Sequence, residues 1–236
     1  CTDTLVEELY EFSSNDLVGL VSLMDHTPGQ RQFRDTEKLR VYLMGKHGYD
    51  DAGVEAHFAR LKELQSLYLE KHRAATVAYA KEVGAVLASH DDTTADDVSA
   101  SGGEGVTVAE FPTTFEAATA CRAHDQYIVM GAPNIIRRGS HFGNVAAHDL
   151  ANNGLLDILS SDYVPAALLN AAVALGMLME DMAAGIRKVT AVPADAAGFD
   201  DRGRIAPEKR ADLVRFSVHD GLPIISSVWV RGQRIA

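Results

Sequence analysis

Apolar and polar positions change period several times along the chain, and each change predicts an element. Residues 17–24 (LVGLVSLM) and 84–89 (GAVLAS) are short, nearly continuous apolar runs. That is the pattern of strands buried on both faces of a parallel sheet. Residues 105–109 (GVTVA), 127–130 and 155–160 (LLDILS) read the same way. Between the runs the period is helical. Residues 35–46 predict one helix, and residues 51–83 predict the longest, with Val54, Phe58, Leu61, Leu64 and Tyr68 on one face among charges. Residues 2–12, 113–124 and 164–182 are further helical stretches, and Thr94 with Asp97 three positions on predicts a capped helix start. Residues 99–105 are small and polar and read as a loop. Strand–helix alternation of this kind predicts an α/β fold with a parallel sheet or barrel. From Arg187 the pattern changes: residues 188–192 are strand-like, and 213–218 and 224–235 alternate, broken by Asp220-Gly221 and Gly232. A small antiparallel sheet is expected there.

Composition narrows the function classes. At 236 residues the chain can bury a sizeable core, as one large domain or as one domain with a small appendage. Hydrophobic residues at 47% and charged ones at 23% are near the averages for soluble globular proteins. A net charge of -11 argues against nucleic acid as partner. An anionic substrate stays open, because a metal or a few arginines can make one pocket positive. Cys1 and Cys121 are too few for a disulfide framework, which fits a reducing cytoplasm. The longest apolar stretch, 164–179, contains Asn170 and is shorter than the ~20 residues that span a bilayer, so no membrane partner is expected. The chain opens on Cys1 and enters a helix-like segment at once, so its beginning is expected to be missing.

Candidate chemistry sits at the strand ends. VSLM ends in Asp25-His26, AVLAS in His90-Asp91, and LDILSS in Asp162. In a parallel barrel the C-terminal strand ends converge on one face, where catalytic groups sit. Two imidazoles and a carboxylate are metal-ligand types. Each alone reads as readily as a capping group, and it is the repetition that favours a site. Arg31, Arg34, Arg137 and Arg138 lie in neighbouring loops, where arginines are usually solvated. His141 is as readily a backbone-bonded loop histidine as a substrate contact. Glu110 ends the third strand and could support the site, with no evident partner.

The longer motifs are more specific. They are DHTPGQRQF (25–33), SHDDTT (89–94), GAPN (131–134), RGSHFGN (138–144) and LSSDYVP (159–165). These segments resemble one family of the amidohydrolase superfamily, the ribose 1-methylphosphonate 5-triphosphate diphosphatases of the bacterial carbon–phosphorus lyase pathway. The ending, with ADL at 211–213 and VWVRG at 228–232, resembles the superfamily more generally. The resemblance implies a (β/α)8 TIM barrel, with residues 1–186 its second half and residues 187–236 part of a small β-sandwich. It implies His26 as the strand-five ligand, His90 as the strand-six ligand, and Asp162 as the strand-eight ligand and catalytic base. A divalent metal follows, zinc with iron or manganese as alternatives, binuclear in the complete enzyme. Such a centre makes hydroxide available near neutral pH. The implied substrate is a phosphorylated ribose phosphonate whose triphosphate is cut to the 5-phosphate and diphosphate, with Arg31, Arg34, Arg137, Arg138 and His141 as its contacts. A homo-oligomer is compatible with this. The departure is that no His-x-His occurs in these 236 residues. A barrel needs ~250 residues, so about half of it is expected to be absent. Two other classes stay open: a hydrolase of the same fold cutting a C–N bond, and a non-catalytic component of a pathway complex.

Overall fold

Each nearly continuous apolar run forms a strand in the computed structural model, which describes residues 3–12, 17–140 and 143–236. The strands are β1 (Leu20–Leu23), β2 (Val86–His90), β3 (Val108–Glu110), β4 (Tyr127–Gly131) and β5 (Ile158–Ser160). All neighbouring pairs are parallel and the order in the sheet is the order in the sequence. A doubly wound sheet reverses its order at a switch point, whereas a (β/α)8 barrel wall does not. The sheet is therefore a sector of such a wall. Among the described residues no helix is long and apolar enough to cross a membrane.

Side chains alternate across this sheet, and both faces are covered. Ala109, Ile128, Met130 and Leu159 face a large cluster with Val98, Ala117, Ala118, Cys121, Leu150, Ala171 and Leu175 from the connecting helices. Ala88, Val108, Val129 and Ile158 face the other way, against Val192 and Ala196. On that second face Ser22 pairs with Ala88, and His90 pairs with Glu110. An apolar row thus gives way to a polar row toward the C-terminal strand ends. That polar row carries the chemistry.

The helices are α1 (Leu5–Tyr10), α2 (Thr36–His47), α3 (Asp51–Glu82), α4 (Ala95–Glu104), α5 (Phe115–Ala123), α6 (Ala132–Arg137), α7 (Ala147–Asn152), α8 (Ala167–Leu178), α9 (Met182–Arg187) and α10 (Ala191–Ala196). Asp50 caps α3 by accepting from the Gly53 amide, and the Thr94–Asp97 capping box of α4 is formed in both directions. The stretch 99–105, read as a loop, is instead the body of α4, which ends at Gly105 with φ 96°. Its small residues serve packing: a Cβ on Gly102 would lie 3.1 Å from His124 Nδ1. The strand expected at 188–192 is also absent. Residues 188–190 form a turn into α10, whose first helical turn holds Pro193, where a missing N–H costs nothing.

Helices α8 and α9 cross at glycines. A Cβ on Gly185 would press on the Ala172 carbonyl oxygen and lie 2.6 Å from Gly176 N, so backbone opposes backbone. Gly185→Ala is expected to destabilise the protein by about 3 kcal/mol, the upper end of ordinary overpacking. Urea unfolding of the purified variant checks this, and an unchanged midpoint would show that the two helices can part cheaply.

The tail folds as expected into an antiparallel sheet of β6 (Leu213–His219), β7 (Leu222–Val230) and β8 (Gln233–Arg234). Both hairpins turn on two residues of positive φ, Asp220-Gly221 and Arg231-Gly232. That backbone matches the twist of the flanking strands.

Candidate metal centre

The loop after β1 is built around Asp25. Its carboxylate accepts from the Thr27 amide at 3.0 Å, the Thr27 hydroxyl at 2.6 Å and the Gln65 amide at 2.6 Å. Burial alone would raise the Asp25 carboxyl, but bonds led by those from Thr27 and Gln65 prevail and hold it below its ordinary value. Asp25 thereby fixes the loop that presents His26. The His26 ring packs edge-on to Phe33 at 5.3 Å, and its Nε2 lies 3.0 Å from the Gln32 side-chain amide.

His90 ends β2 on the polar row, its ring centroid 5.3 Å from that of His26. Successive side chains of a strand point to opposite faces, yet Asp91 reaches the same place as His90. The reason is a left-handed backbone at Asp91, φ 59°, which turns the chain sharply at the strand end. Asp91 Oδ2 lies 3.4 Å from Nε2 of His26 and 3.4 Å from Nε2 of His90. It is buried and has no hydrogen-bond partner. An orphaned buried oxygen of this kind costs about 1–3 kcal/mol, so the arrangement calls for a cation.

The donor set passes that test. The three ligand atoms lie within 4.8 Å of one another. Ligands about 2.0–2.1 Å from a tetrahedral zinc ion stand roughly 3.3–3.4 Å apart. The two Asp91–histidine separations match those edges. Two imidazoles with one carboxylate also suit iron or manganese.

Protons report the same electrostatics. Burial alone would push the His90 imidazole down, but the Glu110 hydrogen bond and the charges of Asp91 and Glu110 outweigh it, so its pKa is raised. Glu110 moves the other way: burial would raise it, and the bonds from His90 and Ser22 bring it below the ordinary carboxylate value. The site attracts positive charge, so a proton would compete with any metal ion for His90.

The group borders a cavity of about 430 Å³, also lined by Asp162, Arg137, Tyr163, Phe111 and Asn144. Asp162, with φ 51°, lines this cavity without being one of the three clustered donors. Its Oδ2 packs against bare backbone, since a Cβ on Gly131 would lie 2.7 Å from it. Arg137 lies at the cavity and donates to the Tyr163 hydroxyl at 2.9 Å.

The other expected substrate contacts sit elsewhere. Arg31 donates to the His90 carbonyl at 2.7 Å and to Asp92 at 2.5 Å, with Asp97 at 4.0 Å. Asp92 is fully buried, so removing Arg31 would strand its charge. The reading of Arg31 as a substrate contact gives way to one as a brace of the site. Arg34 donates to the Thr113 hydroxyl at 2.9 Å, and Arg138 is the exposed C-cap residue of α6. Neither lines the cavity. His141 lies outside the described residues.

Strand counting shifts the ligand assignment. Between β2 and β5 lie two hydrogen-bonded strands, β3 and β4. If Asp162 follows the eighth strand of a barrel, His90 ends the fifth, Glu110 the sixth, and His26 follows the fourth. The short run at 127–130 counts as a full strand. Asp91 is the donor that sequence reasoning left unassigned, and Glu110, expected only as a possible support of the site, gains a partner in His90. The His90-Asp91 doublet was a visible signal for the first, whereas pairing register alone brings in the second.

No protein-family model matches the chain. It is 46% identical over 221 residues, 92% of its length, to the alpha-D-ribose 1-methylphosphonate 5-triphosphate diphosphatase of Escherichia coli (strain K12). The chain spans 58% of that relative's length. An uncharacterized protein of known crystal structure superposes with a TM-score of 0.53 at 17% identity, over 70% of this chain and 49% of its own. The L-hydantoinase of Arthrobacter aurescens aligns over 98% of this chain and 60% of its own, at 15% identity and a TM-score of 0.42. The resemblance carried by the strand-end motifs thus extends along nearly the whole chain, as similarity to part of a ribose methylphosphonate triphosphate diphosphatase.

Proposed function

We propose that this chain carries the metal-binding part of a hydrolase that cuts the triphosphate of α-D-ribose 1-methylphosphonate 5-triphosphate, leaving the 5-phosphate and releasing diphosphate. The observation that carries the reading is the meeting of His26, His90 and Asp91 beside a cavity that Asp162 and Arg137 also line. The substrate comes from the similarity to the diphosphatase. In this reading His26, His90 and Asp91 hold a divalent metal, zinc with iron or manganese as alternatives, with Asp162 close at hand. The ion, when bound, supplies Lewis-acid charge to the phosphoryl oxygens.

The chain's own groups do the rest. Asp162 takes the proton of the attacking water. Arg137 binds the phosphoryl oxygens, and charge-assisted bonds of this kind tighten as negative charge grows there. Tyr163 steadies that guanidinium through its hydroxyl. In a chain of net charge -11 such local positive charge is what admits a polyanion.

Arg137→Ala is therefore expected to raise KM for the triphosphate roughly 10- to 150-fold, the equivalent of about 1.5–3 kcal/mol for a direct charged bond. Arg138→Ala should change it less than twofold or so, since an exposed cation outside the cavity contributes little. Because the chain spans 58% of the diphosphatase's length, diphosphate release would be followed in the full-length enzyme carrying each substitution, with N-acetylated sugars and cyclic amides run in parallel. Turnover confined to the C–N substrates, with Arg137→Ala indifferent, would promote a C–N hydrolase instead. Absence of both turnover and metal binding would leave the non-catalytic reading.

A further inference from the structure

His90 has two ring nitrogens, and only one can face Asp91. The pairing of β2 with β3 places Glu110 directly beside His90 on the same sheet face. Glu110 Oε2 lies 3.3 Å from His90 Nδ1, and the same oxygen accepts from the Ser22 hydroxyl of β1 at 2.6 Å. Three adjacent strands thus build one contact. An ionised carboxylate only accepts, so the imidazole nitrogen beside it must carry the hydrogen. Phe111 bounds the ring edge-on at 5.2 Å, and Arg31 holds the backbone carbonyl at 2.7 Å. Glu110 is not among the residues lining the cavity, so it reaches the site only through His90.

We propose that Glu110 is a positioning residue: anchored by Ser22, it fixes His90 as the Nδ1–H tautomer and aims the Nε2 lone pair at the place where Asp91 Oδ2 waits. The inference rests on the reading of His26, His90 and Asp91 as a cation site, and deepens it. Partners of this type orient a ligating imidazole and raise its basicity. Ser22 does for Glu110 what Glu110 does for His90.

The test is nuclear magnetic resonance of the 15N-labelled protein without added metal, at a pH high enough that the imidazole nitrogen shifts no longer change. Wild-type His90 is expected to show a protonated Nδ1 and a bare Nε2. Glu110→Ala should release the ring toward the other tautomer and weaken Co²⁺, titrated by its visible absorption, about 10- to 100-fold. Glu110→Gln still offers a carbonyl oxygen to Nδ1, and should keep the tautomer and most of the affinity. A protonated Nε2 in the wild type overturns the proposal without any variant having to fold. So does a Glu110→Ala protein with tautomer and Co²⁺ affinity unchanged. Should the wild type bind no Co²⁺, the cation reading falls while the tautomer measurement still decides the role of Glu110.

Discussion

In the hydrolase proposed above, replacing Asp162 by Asn is expected to lower kcat for the triphosphate by roughly 10²- to 10⁴-fold, the usual range for a lost general base. Stability should change little. Asp162 sits at φ 51°, a left-handed conformation that Asn tolerates as well as Asp does. The substitution keeps the shape and removes the charge and the basicity. A second variant reaches the same group from behind. Gly131 has φ -71° and ψ 131°, an extended backbone open to any residue, so Ala there brings no backbone strain. Its Cβ would nevertheless lie 2.7 Å from Asp162 Oδ2 and displace the carboxylate. Gly131→Ala should thus lower kcat by about 10²-fold, the effect of a misplacement near 1 Å. Steady-state kinetics with a thermal melt of each variant checks both. Wild-type kcat in Asp162→Asn would remove the residue from the mechanism.

The parts of this arrangement that could be read in the sequence are those fixed by local pattern. The run LVSL reads as a strand because it is apolar and followed by a polar loop, and α3 reads as a helix because Val54 and Phe58 recur at its period. The hairpin turn at Asp220-Gly221 is legible because few other pairs accept two positive φ values. What could not be read depends on distant partners or on backbone torsion. Ser99 to Glu104 looks like a loop by composition and is helical because α4 packs closely on α5. Arg31 looks like a free loop cation, and its partner Asp92 lies 61 positions away. Asp91 becomes part of the site through one left-handed residue that turns a side chain toward His90, and composition says nothing of that torsion. Glu110 acquires a partner only when β2 and β3 pair in register.

Replacing Asp91 by Asn is expected to act in opposite directions on two measurements, and the sign of one should depend on pH. Without metal, the buried Oδ2 has two histidine nitrogens at 3.4 Å and no hydrogen bond. His90 has a raised pKa, so protonating it in the folded protein is favoured by Asp91 and Glu110. That contribution is fully present below the unfolded histidine value of about 6.5. It is lost as the pH rises through the folded value, when the imidazole becomes neutral and the carboxylate oxygen is left uncompensated. Asp91→Asn should therefore melt below the wild type at about pH 6, where it removes the partner of a charged His90. It should melt above it at a pH beyond that folded value, where it removes an orphan charge worth about 1–3 kcal/mol. Metal reverses the advantage. If Zn²⁺ is the ion held, as proposed, a free concentration about 1,000 times Kd should stabilise the wild type by about 4 kcal/mol, or roughly 8–16 °C in Tm for a chain of this size. The amide of Asp91→Asn offers a neutral oxygen in place of the only carboxylate in the group, and most of that shift should vanish. Thermal melts at the two pH values, with and without Zn²⁺, separate the effects. A Zn²⁺-induced shift as large in Asp91→Asn as in the wild type would show that Asp91 is no ligand. An unchanged ordering of the metal-free melts at both pH values would show that its oxygen was never uncompensated.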